Sequence, residues 1–247
     1  MSIPKILPVF PLSGVIVPPG AILPFQIFEP RYLSMMEAVL KNGRYLLMAQ
    51  PKHETNEVNS QQDLIAGKGL PRDRARRGVA ALASRDKPEL FSVGSLGRVV
   101  FFDEDSPSRY RITIMGLQRV RLLDEQAMRR GYRRFRFDRK PFFDDLLNDH
   151  FRLPDRDKFI ALLARYLKRF EKMIDWQDFK KLEDEKILLV VMITFPFRPA
   201  EKQALLEVET IQQRYELLRA LLEMNLKDQQ FSGKDFFERG DEHTILQ

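Results

Sequence analysis

Phe10-Pro11-Leu12, followed by Pro19-Gly20-Ala21-Ile22-Leu23-Pro24-Phe25-Gln26-Ile27-Phe28-Glu29-Pro30-Arg31-Tyr32, is the stretch on which the fold of this chain turns. It holds two short apolar runs, a Pro-Gly break between them, and a proline placed to begin a helix. Prolines inside short apolar runs suit edge or barrel strands, because a proline cannot donate to a central ladder. The runs over 7–12 and 21–28 therefore read as strands. Pro30 suits the first helical position, and Glu29 sets a carboxylate at the positive end of the helix dipole. Tyr32, Met35, Met36, Val39 and Leu40 recur at helical spacing, and Asn42-Gly43 supplies a stop. Alternation puts Phe25 and Ile27 on one face of their strand, with Gln26 and Phe28 on the other. One of these faces belongs to the core.

Outward from this stretch, 44–49 reads as the next strand, and then the pattern dissolves from Pro51 to Glu89 into a polar and basic segment read as a long surface loop. Order returns at Phe91-Ser92-Val93-Gly94. Strands are expected over 97–102, 110–115, 120–124 and 132–137, the last alternating Phe135 and Phe137 inward with Arg134 and Arg136 outward. Their spacing suggests a small closed or nearly closed sheet. Near residue 142 the period changes to that of helices. Phe159, Leu162, Leu163, Tyr166, Leu167 and Phe170 form a helical stripe that Asp155 can start. Further helices are expected over 184–194, from Pro199, and from Thr210, whose spacing to Gln213 matches a capping box. Trp176 is expected to pack among them. The fold class is α+β: a β domain over 1–141, a helical bundle over 142–228 and a polar tail over 229–247.

Composition bounds the chemistry. The 247 residues include 44% hydrophobic and 31% charged ones, with a net charge of +6 that favours acidic partners only mildly. There is no cysteine, which excludes disulfides, thiol catalysis and cysteine-ligated metals. The first residues carry two early prolines and no long apolar run, unlike a secretory signal. The longest apolar run, Ile187 to Ile193, is far short of a membrane span. A soluble, cytoplasmic protein with no membrane partner is the expectation.

No phosphate loop, dinucleotide fingerprint or nucleophile elbow is present; Gly67-Lys68-Gly69 lacks the required spacing and hydroxyl. His53, His150 and His243 lie far apart, each in a polar stretch, and lack metal-site spacing. Asp144-Asp145 and Asp103-Glu104 read as solvated loops. No cofactor, metal or catalytic residue is expected. Two basic clusters remain: Lys68 to Lys87 in the loop, and Arg129 to Lys140 around the last strand. Their plain reading is a solvated loop and a charged edge strand. The alternative is an RNA or DNA surface using clusters 68–87 and 129–140, with Arg134 and Arg136 as contacts.

The opening stretch resembles the start of the Lon protease N-terminal (substrate-binding) domain family, including its standalone bacterial members. Three further blocks agree in order. Val93-Gly94-Ser95-Leu96-Gly97-Arg98-Val99 is similar to a Val-Gly-x-x-Gly-Arg strand. Arg109-Tyr110-Arg111-Ile112-Thr113-Ile114-Met115-Gly116-Leu117-Gln118-Arg119-Val120 is similar to a Tyr-x-Ile-x-x-x-Gly-x-x-Arg hairpin. Phe195-Pro196-Phe197-Arg198-Pro199-Ala200-Glu201-Lys202-Gln203-Ala204-Leu205-Leu206-Glu207 is similar to the hallmark of the helical part. The resemblance covers about 7–226.

The resemblance implies a PUA-like twisted barrel followed by a helical bundle. It implies a non-enzymatic protein-binding module for exposed apolar or unfolded polypeptide, able to serve a separate protease, since the ATPase and peptidase of Lon lie in other domains. Departures from the family pattern are the long basic loop and the apolar helix at 184–194, where Leu189 suggests tighter burial or an extra apolar contact. An apolar groove between the two parts is the expected binding place. Phe25, Phe28 and Tyr32 are candidates for a partner-binding patch; the same residues equally suit the core. Glu29 and Arg31 read as structural, through capping or an ion pair across to another element.

Overall fold

Strands β1 (Ile6–Pro11), β2 (Ile22–Ile27) and β3 (Tyr45–Ala49), with helix α1 (Pro30–Lys41) before the third, form close to the expected positions. The computed structural model describes residues 3–52, 87–106, 108–146, 151–168 and 175–227. Most of the 51–89 segment, the cluster from Lys68 to Arg85, all three histidines and the tail lie outside the described residues.

β4 (Val93–Ser106), β5 (Arg109–Arg129) and β6 (Tyr132–Asp138) complete one mixed sheet. β1 and β3 run parallel, and the other pairs are antiparallel. The order is β2-β5-β4-β3-β1-β6, and β6 also pairs with β5. The pairings β5-β4-β3-β1-β6 thus return on themselves, and β2 extends the sheet at its outer edge.

The strands expected over 110–115 and 120–124 are one continuous strand. Gly116, which reads as a break, is instead a point of close approach. A Cβ there would stand 2.1 Å from the Pro18 carbonyl oxygen. The Gly116 N–H donates to the Ala21 carbonyl at 2.8 Å, and its own carbonyl accepts from the Gly20 N–H at 3.0 Å. Only a residue without a side chain lets the loop before β2 lie so close.

Two cores flank the sheet. Leu7, Val9, Leu47, Leu96, Val120 and Phe135 form one. Phe10, Phe25, Ile27, Met35, Met36 and Ile112 form the other, beneath α1. β1 and β3 contribute to both, which is why they read as near-continuous apolar runs. The β5–β6 turn has positive φ at both Arg130 (48°) and Gly131 (84°), the twist a tight hairpin needs.

After a 3-10 segment (Lys140–Leu146) come α2 (Arg156–Lys168), α3 (Trp176–Phe179), α4 (Asp184–Thr194), α5 (Pro199–Glu207) and α6 (Ile211–Lys227). They enclose a third core that includes Phe159, Tyr166, Ile187, Phe195 and Leu218, with Trp176 half-buried against it. The short α3, which carries no apolar stripe, forms because the Asp175 carboxylate accepts from the Gln177 and Asp178 N–H groups. Thr210 and Gln213 cap the start of α6 reciprocally at 3.2 Å. α4 is apolar nearly all round because it is shared. Ile187, Leu188 and Val191 face the helical core, while Leu189 and Ile193 pack on the core beneath α1. Among the described residues, no helix is long and apolar enough to cross a membrane.

Candidate functional site

The opening stretch folds into an aromatic cluster. Phe10 meets Tyr32 edge-on at 4.8 Å between ring centroids, and Phe25 at 6.1 Å. Phe25 and Tyr32 are only 2% and 4% exposed, so these two candidates face the core and leave no surface for a partner. The alternation of β2 decides this: Leu23, Phe25 and Ile27 point inward while Ile22 and Pro24 point out. Phe28 is half-buried and lines a cleft with Phe10, Gln26, Glu29 and Tyr32. That cleft has a volume of about 10 Å³, the space of one water, too little for a partner's side chain.

Glu29 occupies the N-cap of α1, yet its carboxylate caps no amide there. It accepts from Arg31 Nε at 2.9 Å instead, while the Glu29 carbonyl takes the Tyr32 and Leu33 N–H groups. The Arg31 guanidinium also lies over the Tyr32 ring, 4.6 Å from its centroid. The Glu29–Arg31 ion pair is local and about a quarter exposed. A Cβ on Gly131 would lie 3.3 Å from Arg31 Cβ, so the β5–β6 turn folds over the start of α1. The stretch is distinctive because this corner is crowded.

The other motif blocks converge where the sheet meets the helices. Gln50 donates to the Pro199 carbonyl at 3.1 Å and to Gln203 Oε1 at 3.0 Å, while its own Oε1 accepts from the Gly14 N–H. Gln203 donates to the Val93 carbonyl at 3.0 Å. Arg119 donates through Nε and Nη2 to the Asp145 carboxylate, at 3.0 and 2.7 Å. It also reaches the Leu206, Val208 and Glu209 carbonyls at the end of α5. The Arg119 and Asp145 side chains are 4% and 7% exposed, so Asp145 is a buried ion-pair partner rather than a solvated loop residue. Its partner lies 26 residues earlier, beyond any local pattern.

Three basic side chains, Arg119 and Lys202 buried and Arg214 half-buried, thus serve helix C-termini, where orphan carbonyls and the negative dipole end attract them. Arg214 joins Arg119 at α5, donating to the Leu205 carbonyl at 3.3 Å. Burial, and then the like charge of Arg119, push Arg214 down to about 10. Lys202 donates to the Ile193 carbonyl of α4 at 3.2 Å, and burial pushes its amine down to about 7. The place where an apolar groove was expected is filled by the protein's own polar side chains.

Three of the seven cations at 129–140, Arg130, Arg133 and Arg136, have carboxylate partners. Arg133 forms a forked pair with Glu125, which holds the Glu125 carboxyl below its usual range chiefly through that hydrogen bond. Arg136 is exposed, with Asp124 at 3.6 Å, and Arg130 has Glu37 at 3.6 Å. Arg134 is half-buried, opposite Pro8 of β1 and Gln126 of β5. Phe135 is buried as expected; Phe137 is half-buried. Of the two candidate contacts, Arg136 has a carboxylate within 4 Å and Arg134, among the described residues, has none. Among the described residues, no group of His, Asp or Glu is placed to hold a metal ion.

Sequence reasoning passed over the solvent face of β2, β5 and β4, where Ile22, Val100 and Phe101 are exposed. The bulge that turns Phe101 outward leaves no signature in the alternation of apolar residues.

A family model described as the ATP-dependent protease La (LON) substrate-binding domain matches residues 6–224. A Lon protease of Desulfovibrio desulfuricans is 26% identical over 121 residues, 49% of this chain and 11% of that protein. Among solved structures, the N-terminal domain of a Mycobacterium avium complex Lon protease superposes with a TM-score of 0.55 at 14% identity, covering 89% of this chain and 98% of that one. A Lon N-terminal domain protein from Xanthomonas campestris gives 0.54 at 18% identity, covering 87% and 97%.

Proposed function

Since the chain belongs to the LON substrate-binding domain family, we propose that it binds exposed apolar or unfolded segments of protein substrates and does not itself cleave them. The family match across residues 6–224 is the observation that carries this reading. It is supported by the convergence of the motif blocks on a packed junction, where Arg119 and Gln203 act structurally. We read the strand ring as a PUA-like barrel and the helices as one bundle; the return of β6 onto β5 supports the first and the shared third core the second. Delivery of clients to a separate protease, in the cytoplasm, is part of the same reading.

The test is titration of the folded chain with a labelled, permanently unfolded polypeptide. Saturable binding at micromolar concentration, with the circular dichroism unchanged, is the expected result. No binding at high micromolar concentration, the fold intact, would overturn it.

A further inference from the structure

The solvent face of β2, β5 and β4 carries apolar side chains in register. Ile22 stands opposite Met115, and Pro24 opposite Thr113. Thr113 in turn stands opposite Phe101 on β4. The row Pro24-Thr113-Phe101 is therefore continuous across three strands, with Ile22-Met115 one step along it. Ile22 is 59% exposed and Phe101 53%. The other face of the same strands is already buried through Phe25, Ile112 and Ile114. An apolar surface built on the face that does not pack marks an interaction site.

The bulge in β4 points the same way. Val99 is buried, so plain alternation would expose Val100, bury Phe101 and expose Phe102. The register shift between Val99 and Phe101 reverses the last two. Phe101 turns to solvent, and Phe102 packs inward against Tyr110 at 5.1 Å. A bulge disrupts the ladder locally and is used where a side chain has to be re-aimed.

Charge distinguishes the two ends of this face. Arg98, opposite Met115, and Arg44, whose carbonyl accepts from the Val99 N–H, are both exposed at one end. Neither has a carboxylate partner among the described residues. At the other end Arg111 is paired with Asp103. The outer edge of β2 is interrupted: Pro24 brings no N–H there, so an added strand would lose a bond mid-way. Docking on the face avoids that gap.

We propose that this face is the polypeptide-docking surface, and that it takes an extended segment with apolar side chains and a carboxylate at the Arg98 end. The proposal rests on the polypeptide-binding reading given above. Charge complementarity selects this occupant over a second copy of the chain, which would bring another Arg98 and Arg44 to the interface.

The test uses a labelled synthetic peptide of alternating leucine and serine with one glutamate, and its glutamine counterpart. Both are titrated against the wild-type chain, Ile22→Ser/Phe101→Ser and Arg98→Glu, with unchanged thermal unfolding as the control for folding. The double substitution is expected to weaken binding roughly tenfold or more, as loss of two anchor side chains does. Arg98→Glu is expected to weaken the glutamate peptide selectively. Equal affinity of wild type and double variant overturns the docking face while leaving polypeptide binding standing. A wild type that binds neither peptide nor any unfolded probe removes both. Self-association abolished by the double substitution, without peptide binding, overturns the proposal in favour of a second copy.

Discussion

At the junction of sheet and helices, Arg119 and Asp145 are almost wholly buried; on the outer face of β2, β5 and β4, Ile22 and Phe101 are more than half exposed. β5 serves both regions, its Met115 end carrying the apolar face and its Arg119 end the charged junction. A buried ion pair is a costly way to gain stability, since desolvation offsets much of the attraction. It is a selective way to fix one arrangement, because wrong arrangements leave charges and carbonyls unpaired. The apolar face carries the opposite logic: it adds nothing to the core and is open to a partner. The comparison teaches that polarity alone does not separate structure from function here. Burial and satisfaction of the polar groups do.

Arg119→Ala is the strongest way to break the junction. It strands the Asp145 carboxylate and the α5 carbonyls, and the expected loss is about 3–5 kcal/mol. Urea unfolding measures it, and a loss within the range of ordinary surface substitutions would remove the junction as the organising contact. Gly116→Ala tests the close approach of the loop before β2 to the strand that serves both regions. A methyl there meets the backbone carbonyl of Pro18, so a loss of about 1–3 kcal/mol is expected from overpacking. Tighter folding of the variant would contradict the close approach.

Lys202→Met sharpens the comparison through pH. The folded amine titrates near 7 and the unfolded one near its ordinary 10.5, so between these values the unfolded chain holds more protons. Wild-type stability should therefore rise with pH from about 7 upward, by at most about 1.4 kcal/mol per unit. Below that window both states carry the proton and the burial cost is fully present. The methionine variant should show a flatter profile in chemical denaturation across the same range; parallel profiles would assign the slope to other groups. The smallest effect is expected on the outer face. Ile22→Ser/Phe101→Ser should change stability by only about 0.5 kcal/mol, as exposed sites do. A large loss of melting temperature would place these residues in the fold instead.

The β2 strand, the start of α1 at Pro30, its stop at Asn42-Gly43 and the capping box at Thr210 were all legible, because each is written in residues a few positions apart. Leu189 stood out in an over-apolar helix, and it packs on the core beneath α1. The 3-10 segment and α3 were not legible, since neither carries an apolar period. Asp145 was misread for a different reason: its environment is made by a strand 26 residues earlier and by α5 beyond. Phe25 and Tyr32 were ambiguous because alternation names two faces without saying which is covered.

The sequence by itself determined the α+β class, most element positions and the family, since period, caps and motif spacing are short-range features. Tertiary structure alone decided that the motif blocks meet at a buried polar junction, that β5 runs unbroken past Gly116, and that Phe101 faces out. Those outcomes depend on which distant groups a backbone brings within hydrogen-bond or van der Waals reach, and on a single bulge that inverts the alternation after it.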